Sequence, residues 1–481
     1  MAKDIKRLGK ETLIYGTSTV LARLLNFCLV PFYTYYLLPG QYGEIATVFA
    51  AIALLSVVFL FGMDQSYLRF ASEAQDKSKV FRQCFYGVLL NGLLLGGALY
   101  LLSKPATALI GLPQDSYGLI HLAAVILFLD VLNMIPFTKL RLERRAWYFA
   151  GVRTVSIVVN VLGNILFIAV LKKGPASILW ANIFASLASL LLLSPVLWQE
   201  LKQGFFFRFD LKLEKELFAF AWPFVPSGLA SLLVSVIDKP ILVHLVGTEQ
   251  VGIYQANFKI GVFMMLLVSM FDQAWRPFFL AHAKDTDAQD TFSKVLSYFT
   301  ALASWFLLGL SLLMPVIIQS DLFGDFHLIS PDYWGGLSVI PLVLTGYFFY
   351  GLYINFMVGP VLTKKTRVLM WITLLGAIVS ITTNLALVPK TGIVGAGWAV
   401  ALSYASMATA LFLFSRKVYP ISYEYKKLAA IALVCLATAI LSYCAGKHYP
   451  AYSLHTKCTL LTLYPLWMCL ILKTKKKKFL P

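Results

Sequence analysis

Residues 43–66 read GEIATVFAAIALLSVVFLFGMDQS, and this stretch decides the class of fold. No charged side chain lies between Glu44 and Asp64. That uncharged run has the length, about 20 residues, that an α-helix needs to cross the roughly 30 Å hydrocarbon core of a bilayer. It therefore predicts a transmembrane helix rather than a helix of a water-soluble domain.

The same pattern extends outward along the whole chain. Of 481 residues, 59% are hydrophobic and only 13% are charged, whereas soluble domains carry about 25% charged residues. A water-soluble or disordered chain is therefore excluded. We predict an all-α polytopic membrane protein with about 14 spans, which cover approximately residues 12–37, 43–66, 86–103, 117–138, 152–171, 175–198, 217–246, 251–272, 295–319, 336–357, 367–388, 392–414, 428–446 and 457–472.

The distribution of Lys and Arg predicts the orientation of these spans. With a cytoplasmic N-terminus, the inside segments hold 32 of the 41 basic residues, the outside loops hold six, and three lie within spans. This bias predicts that both termini are cytoplasmic. It also explains the net charge of +18 without a nucleic-acid partner. The basic tail, from Lys473 to Lys478, is expected to anchor the chain at an anionic leaflet.

A weak internal repeat divides the predicted spans into two groups of six. A shift of 209 residues aligns Pro31 with Pro240, and further matches follow in the same order. Because six is even, the copies are expected to share an orientation and to be related by a pseudo-twofold axis along the membrane normal. This predicts an N-terminal lobe (1–210), a C-terminal lobe (211–420), and an extra helix pair with a basic tail (421–481).

Motifs for covalent chemistry are absent from the sequence. It has no P-loop, no HExxH, no GxSxG and no dinucleotide fingerprint. Its six cysteines show neither CxxC nor Cys/His metal spacing. We therefore expect a transporter rather than an enzyme, with no metal and no cofactor, and with any uphill work driven by a substrate gradient or by coupling to H⁺ or Na⁺.

Charged side chains deep in the predicted spans are the candidate functional residues, because such a charge normally faces a partner or a water-filled cavity. Arg23 lies near the middle of the first span, and Lys239 and Lys259 lie in the seventh and eighth. Cations from both lobes predict a central cavity for an anionic group, and a phosphate or diphosphate suits them best. The alternative is structural pairing, for example of Asp238 with Lys259.

Other polar residues have supporting roles in this interpretation. Asn26 lies on the same helix face as Arg23, while Asp130 and Asp238 are candidates for substrate support or ion coupling. Two further pairs occupy matching cytoplasmic span ends and are candidates for an inner gate, although ordinary interfacial charges are an equal alternative: Asp64 with Arg69, and Asp272 with Arg276.

Several segments resemble one family. They are ARLLNF (22–27), PFYT (31–34), LPGQYG (38–43), GMD (62–64), LRF (68–70), LRL (140–142), IDKPIL (237–242), QAWRPF (273–278) and NLALVPKTGIVGAG (384–397). The sequence resembles the bacterial O-antigen and exopolysaccharide flippases of the multidrug/oligosaccharidyl-lipid/polysaccharide (MOP) exporter superfamily. The resemblance implies two six-helix lobes around a cationic cavity, onto which Arg23, Lys239 and Lys259 map.

That resemblance also implies a function. It implies export of an undecaprenyl-diphosphate-linked oligosaccharide from the inner to the outer leaflet of the bacterial cytoplasmic (inner) membrane. Membrane lipids and polysaccharide polymerase or export machinery are the implied partners. A cation-coupled drug exporter and a lipid II flippase of the same superfamily stay open as alternatives. A membrane-embedded glycosyltransferase or polymerase is disfavoured, because no large outer loop or acidic sugar-processing pair is present.

Overall fold

The computed structural model describes residues 24–202, 210–321, 324, 326–448 and 453–473, and the described chain is helical with no β-strand. Helix α1 covers 24–36. The later helices are α2 Pro39–Leu60, α3 Met63–Glu73, α4 Lys77–Leu101, α5 Ser103–Leu109, α6 Tyr117–Leu142, α7 Ala146–Asn164, α8 Ala176–Leu201, α9 Leu211–Ala221, α10 Phe224–Val236, α11 Asp238–Phe258, α12 Gly261–Ala281, α13 Ala288–Gln319, α14 Val339–Phe356, α15 Val358–Leu362, α16 Arg367–Thr391, α17 Ile393–Val418, α18 Tyr425–His448 and α19 Ser453–Leu472.

The predicted all-α membrane fold is confirmed. Within the described ranges, 11 helical runs are long and apolar enough to cross a membrane, so the count of 14 stays a prediction. One of these runs, Leu211–Phe258, is 48 residues long and includes the predicted seventh span and the start of the eighth. Gly247 interrupts it with φ 86°, a backbone conformation that glycine adopts without steric penalty.

The helices form two compact units. The first comprises Met1–Ala256 and Asn384–Ile393, and the second comprises Asn257–Thr383 and Val394–Pro481. In the first unit, α6 packs against α2, α4 and α8, and α7 packs against α8. The apolar core near α3 and α9 includes Tyr67, Phe81 and Leu217, which are almost fully buried. The lobe division predicted from the repeat stays a prediction.

Two glycines permit a backbone crossing within the first unit. A Cβ on Gly43 would lie 1.8 Å from the carbonyl oxygen of Thr248, and a Cβ on Gly252 would lie 1.9 Å from the carbonyl oxygen of Pro39. Gly43 and Gly252 are equivalent under the 209-residue shift. The crossing therefore joins corresponding positions of α2 and α11, at a separation that only glycine permits.

In the second unit, α18 and α19 pack against each other and against α13. The hydroxyl groups of Ser304 and Tyr464 are 2.8 Å apart, which ties α13 to α19. Ahead of α18, the carboxylate of Glu424 accepts hydrogen bonds from Ser297 and Lys427. Burial alone would raise the pKa of Glu424, but these hydrogen bonds outweigh it and the pKa lies below its usual value.

Candidate functional site

A buried ion pair stands at the start of α11. Asp238 and Lys239 are 3% and 5% exposed. The ammonium of Lys239 lies 3.0 Å from Oδ1 of Asp238, and the hydroxyl of Tyr254 donates a 2.7 Å hydrogen bond to Oδ2. Both carboxylate oxygens therefore have a donor.

Neighbouring residues on a helix normally point in different directions, so contact between these two side chains was not expected from sequence. Asp238 occupies the first position of α11, where its carboxylate also accepts the backbone N–H of Lys239 at 3.0 Å. The flexible Lys239 side chain folds back to the same oxygen and lies 5.8 Å from the centre of the Tyr254 ring. In this arrangement the charge of Lys239 is compensated locally.

The other predicted cavity cations are placed differently. Arg23 lies outside the described residues. Asn26, three positions later, is exposed on α1. Lys259 is half-buried at the junction of α11 and α12, in the second unit, whereas Lys239 belongs to the first. Convergence of the three cations on one cavity therefore stays a prediction.

A polar cluster links α6 to α8. The hydroxyl of Ser186 donates a 2.5 Å hydrogen bond to Oδ1 of Asp130. Asn133, which is buried, donates from its side-chain amide to the backbone carbonyl of Ser186 at 2.9 Å. On α7, Arg153 is close enough for its charge to act on Asp130, and its guanidinium lies 4.4 Å from the centre of the Phe137 ring. Asp130 is thus held by a hydroxyl group of the neighbouring helix α8.

The predicted gate residues form pairs along their own helices. Arg69 forms an ion pair with Glu73, four residues later, rather than with Asp64. Arg276 and Asp272 pair at 2.6 Å, also four residues apart. Both arginines are exposed. Pairs at this spacing stabilise a single helix, and their action as a gate stays a prediction.

Sequence reasoning missed the partners of these charges. Tyr254 lies 16 residues from Asp238, and Ser186 lies 56 residues from Asp130. A tyrosine and a serine in apolar helices carry no local signal, because their role depends on which helices pack together. Arg153 stands at the edge of a predicted span, so its position gave no sign that it lies near Asp130.

Several solved structures have a fold similar to this one. The lipid II flippase MurJ in an inward closed conformation superposes with a TM-score of 0.73 at 15% identity, over 95% of this chain and 100% of that chain. An inward-facing multidrug resistance MATE family transporter of the MOP superfamily gives 0.66 at 14% identity, over 85% and 95%. The Vibrio cholerae MATE transporter VcmN in its bent form gives 0.53 at 14% identity, over 86% and 96%.

At these identities the likeness defines a class of fold, that of the MOP-superfamily transporters. No significant match was found among curated proteins. A family model described as "Polysaccharide biosynthesis protein" matches residues 8–283, more than half of the chain. The chain therefore belongs to the polysaccharide biosynthesis protein family, and the resemblance drawn from its sequence motifs is confirmed.

Proposed function

We propose that this protein is a flippase that moves an undecaprenyl-diphosphate-linked oligosaccharide from the inner to the outer leaflet of the bacterial cytoplasmic membrane, for assembly of surface polysaccharide. The observation that carries this proposal is the match of residues 8–283 to the polysaccharide biosynthesis family in a chain with a MOP-type fold. The substrate then comes from lipid-linked sugar synthesis, and the flipped product passes to a polymerase or export system.

The transport step is alternating access without covalent chemistry. The polyprenyl tail stays in lipid while the anionic diphosphate enters the protein, where cations replace its lost hydration. Arg23, Lys239 and Lys259 are the proposed diphosphate-binding cations. Lys239 takes part when a substrate phosphate replaces its contact with Asp238. Until substrate binds, the buried ion pair keeps Lys239 in place. Coupling to H⁺ or Na⁺, with Asp130 as the carrier, belongs to the same proposal.

The first test uses a host strain that lacks this gene. Arg23→Ala should abolish surface polysaccharide and accumulate lipid-linked oligosaccharide on the inner leaflet, at unchanged protein level. Arg367→Ala, at the exposed start of α16, is the matched control and should complement fully. Normal surface glycan from Arg23→Ala would remove the proposed role of this residue.

The second test measures transport directly. Purified protein is reconstituted in vesicles that carry undecaprenyl-diphosphate oligosaccharide, and the fraction of glycan accessible to an external glycosidase is followed over time. Access should rise beyond the initial outer-leaflet share only with protein present. No rise, in vesicles where the protein is folded and correctly inserted, would contradict the proposal.

Lipid II is the second candidate substrate, favoured by the TM-score of 0.73 with a lipid II flippase over the whole of that chain. The same vesicles loaded with lipid II decide between the two. Faster movement of lipid II than of the oligosaccharide lipid would assign the protein to cell-wall precursor transport. A preference for the oligosaccharide lipid supports surface polysaccharide assembly.

A further inference from the structure

A cavity of about 400 Å³ lies where α13, α18 and α19 meet in the second unit. This size falls in the usual range of small-ligand sites, about 300–1,000 Å³. Its apolar wall includes Leu312 and Pro315 of α13, and its polar wall includes Ser442 and Lys447 of α18 with Lys457 of α19. The cavity thus joins an apolar groove to a basic rim.

Two lysines form this rim. Lys447 lies in the last turn of α18, and Lys457 lies near the start of α19. Neither lysine forms an ion pair with any described residue. Neither α18 nor α19 contains an acidic residue. Two lysines therefore line one cavity without an acidic residue on their own helix pair.

Buried hydroxyl groups line the same cavity. Ser442 is 1% exposed, and its hydroxyl has no hydrogen-bond partner among the described residues. Ser311 on α13 also lines the cavity, and its hydroxyl likewise has no hydrogen-bond partner among the described residues. Because unsatisfied buried polar groups are rare in folded proteins, two beside one cavity point to a missing acceptor or donor.

The predicted topology makes these lysines unusual. The segment that links α18 to α19 is predicted to lie outside, and the predicted outer loops together hold only six of 41 basic residues. On the lipid side, α18 exposes large apolar side chains, including Leu433, Leu436 and Ile440 at 60–67%. A ligand here therefore has an anionic head at the interface and an apolar body beside the helices.

We propose that this cavity binds an anionic phospholipid. The headgroup phosphate contacts Lys447 and Lys457, with Ser442 nearby, and an acyl chain lies against Leu312 and Pro315. Charge complementarity selects this occupant, because a zwitterionic lipid carries no net negative charge to balance the two lysines. The proposal is independent of the transported substrate.

The test is native mass spectrometry of the full chain in detergent, titrated with phosphatidylglycerol or phosphatidylcholine. The wild type should retain phosphatidylglycerol at least about tenfold more tightly than phosphatidylcholine. The Lys447→Gln/Lys457→Gln variant should lose that preference, since each lysine near an anionic headgroup contributes about fivefold. Lys172→Gln/Lys173→Gln removes two exposed lysines from another predicted outer turn and should bind like the wild type.

Three outcomes would overturn the proposal. Equal retention of both lipids by the wild type shows that the site does not discriminate between headgroup charges. An equal loss of phosphatidylglycerol binding in both double-lysine variants shows a general effect of protein charge. Displacement of phosphatidylglycerol by millimolar inorganic phosphate shows a phosphate site that needs no lipid. Melting curves of the variants establish that each is folded, which the exposed position of Lys447 favours.

Discussion

At the scale of single residues, burial of charge is the feature that most constrains this chain. Transfer of Asp238 and Lys239 out of water costs several kcal/mol per ion, and their mutual attraction and the hydrogen bond from Tyr254 oppose this cost. A transport role and a structural role for this pair predict different mutational patterns.

Lys239→Gln should destabilise the protein by about 3–5 kcal/mol, because Asp238 is left as a buried charge without its cation. The double variant Asp238→Asn/Lys239→Gln removes both charges and should recover most of that stability. Thermal unfolding in detergent measures both. If Lys239 binds substrate, the stable double variant is still inactive in flipping; an active double variant means that the pair is purely structural.

The second prediction at the scale of single residues concerns Glu214. Its side chain is 5% exposed, neither carboxylate oxygen has a hydrogen-bond partner among the described residues, and Oε1 faces Gly87. Glu214→Met, which replaces a buried unpartnered carboxylate with an apolar side chain, should stabilise the protein by about 1–3 kcal/mol. The control is Glu216→Met, at an exposed position on the same helix, and it should leave the melting temperature unchanged. A lower melting temperature for Glu214→Met would mean that the carboxylate of Glu214 is stabilising.

At the scale of helices, close approach is decided by side-chain size. Gly43→Ala and Gly252→Ala should each destabilise the fold by about 3 kcal/mol or more, because the new methyl group meets a backbone carbonyl that cannot rotate away. Gly97→Ala, in α4 with nothing within 4 Å, is the matched control. It should be neutral or slightly stabilising, since alanine is the better helix former. Unchanged melting of both crossing variants would show that the crossing is looser.

The C-terminal helix pair shows what sequence patterns convey about an element. Its two apolar stretches predicted an appendix to the repeated spans, but not its neighbour. The structure places α18 and α19 against α13, with Ile431, Leu461 and Tyr464 in a shared core. Apolar composition indicates that a helix lies in lipid or in the protein interior. Which helix it packs against depends on the shape of the packed surfaces, and no sequence pattern indicates that shape.

At the scale of the whole molecule, the predicted topology is directly testable. Consider a variant that retains buried Cys84 and exposed Cys458, with the other four cysteines replaced by alanine. A membrane-impermeant maleimide should label Cys458 in intact spheroplasts, because the start of α19 is predicted to be outside. In a second variant, Cys458 is also replaced by alanine, and Lys284→Cys introduces a cysteine between α12 and α13. This cysteine should be labelled only after permeabilisation. The opposite pattern would invert the predicted orientation.

Much of the architecture was predictable because the bilayer imposes a simple rule: uncharged runs of about 20 residues span it, and basic residues stay inside. The boundaries near Gly247 were less predictable, because α9, α10 and α11 form a nearly continuous run whose interruption depends on one backbone conformation. The candidate charges were found from their depth alone. Their partners were not, since Tyr254 and Ser186 are distant in sequence.

The sequence by itself determined that this is a many-helix membrane protein of the polysaccharide biosynthesis type, because apolar length, charge bias and local motifs are properties of the chain. Only the tertiary structure decided that Lys239 is paired with Asp238, that Gly43 and Gly252 allow α2 and α11 to cross closely, and that Lys447 and Lys457 share one cavity. Those facts depend on which helix faces meet, and packing, rather than composition, selects the faces.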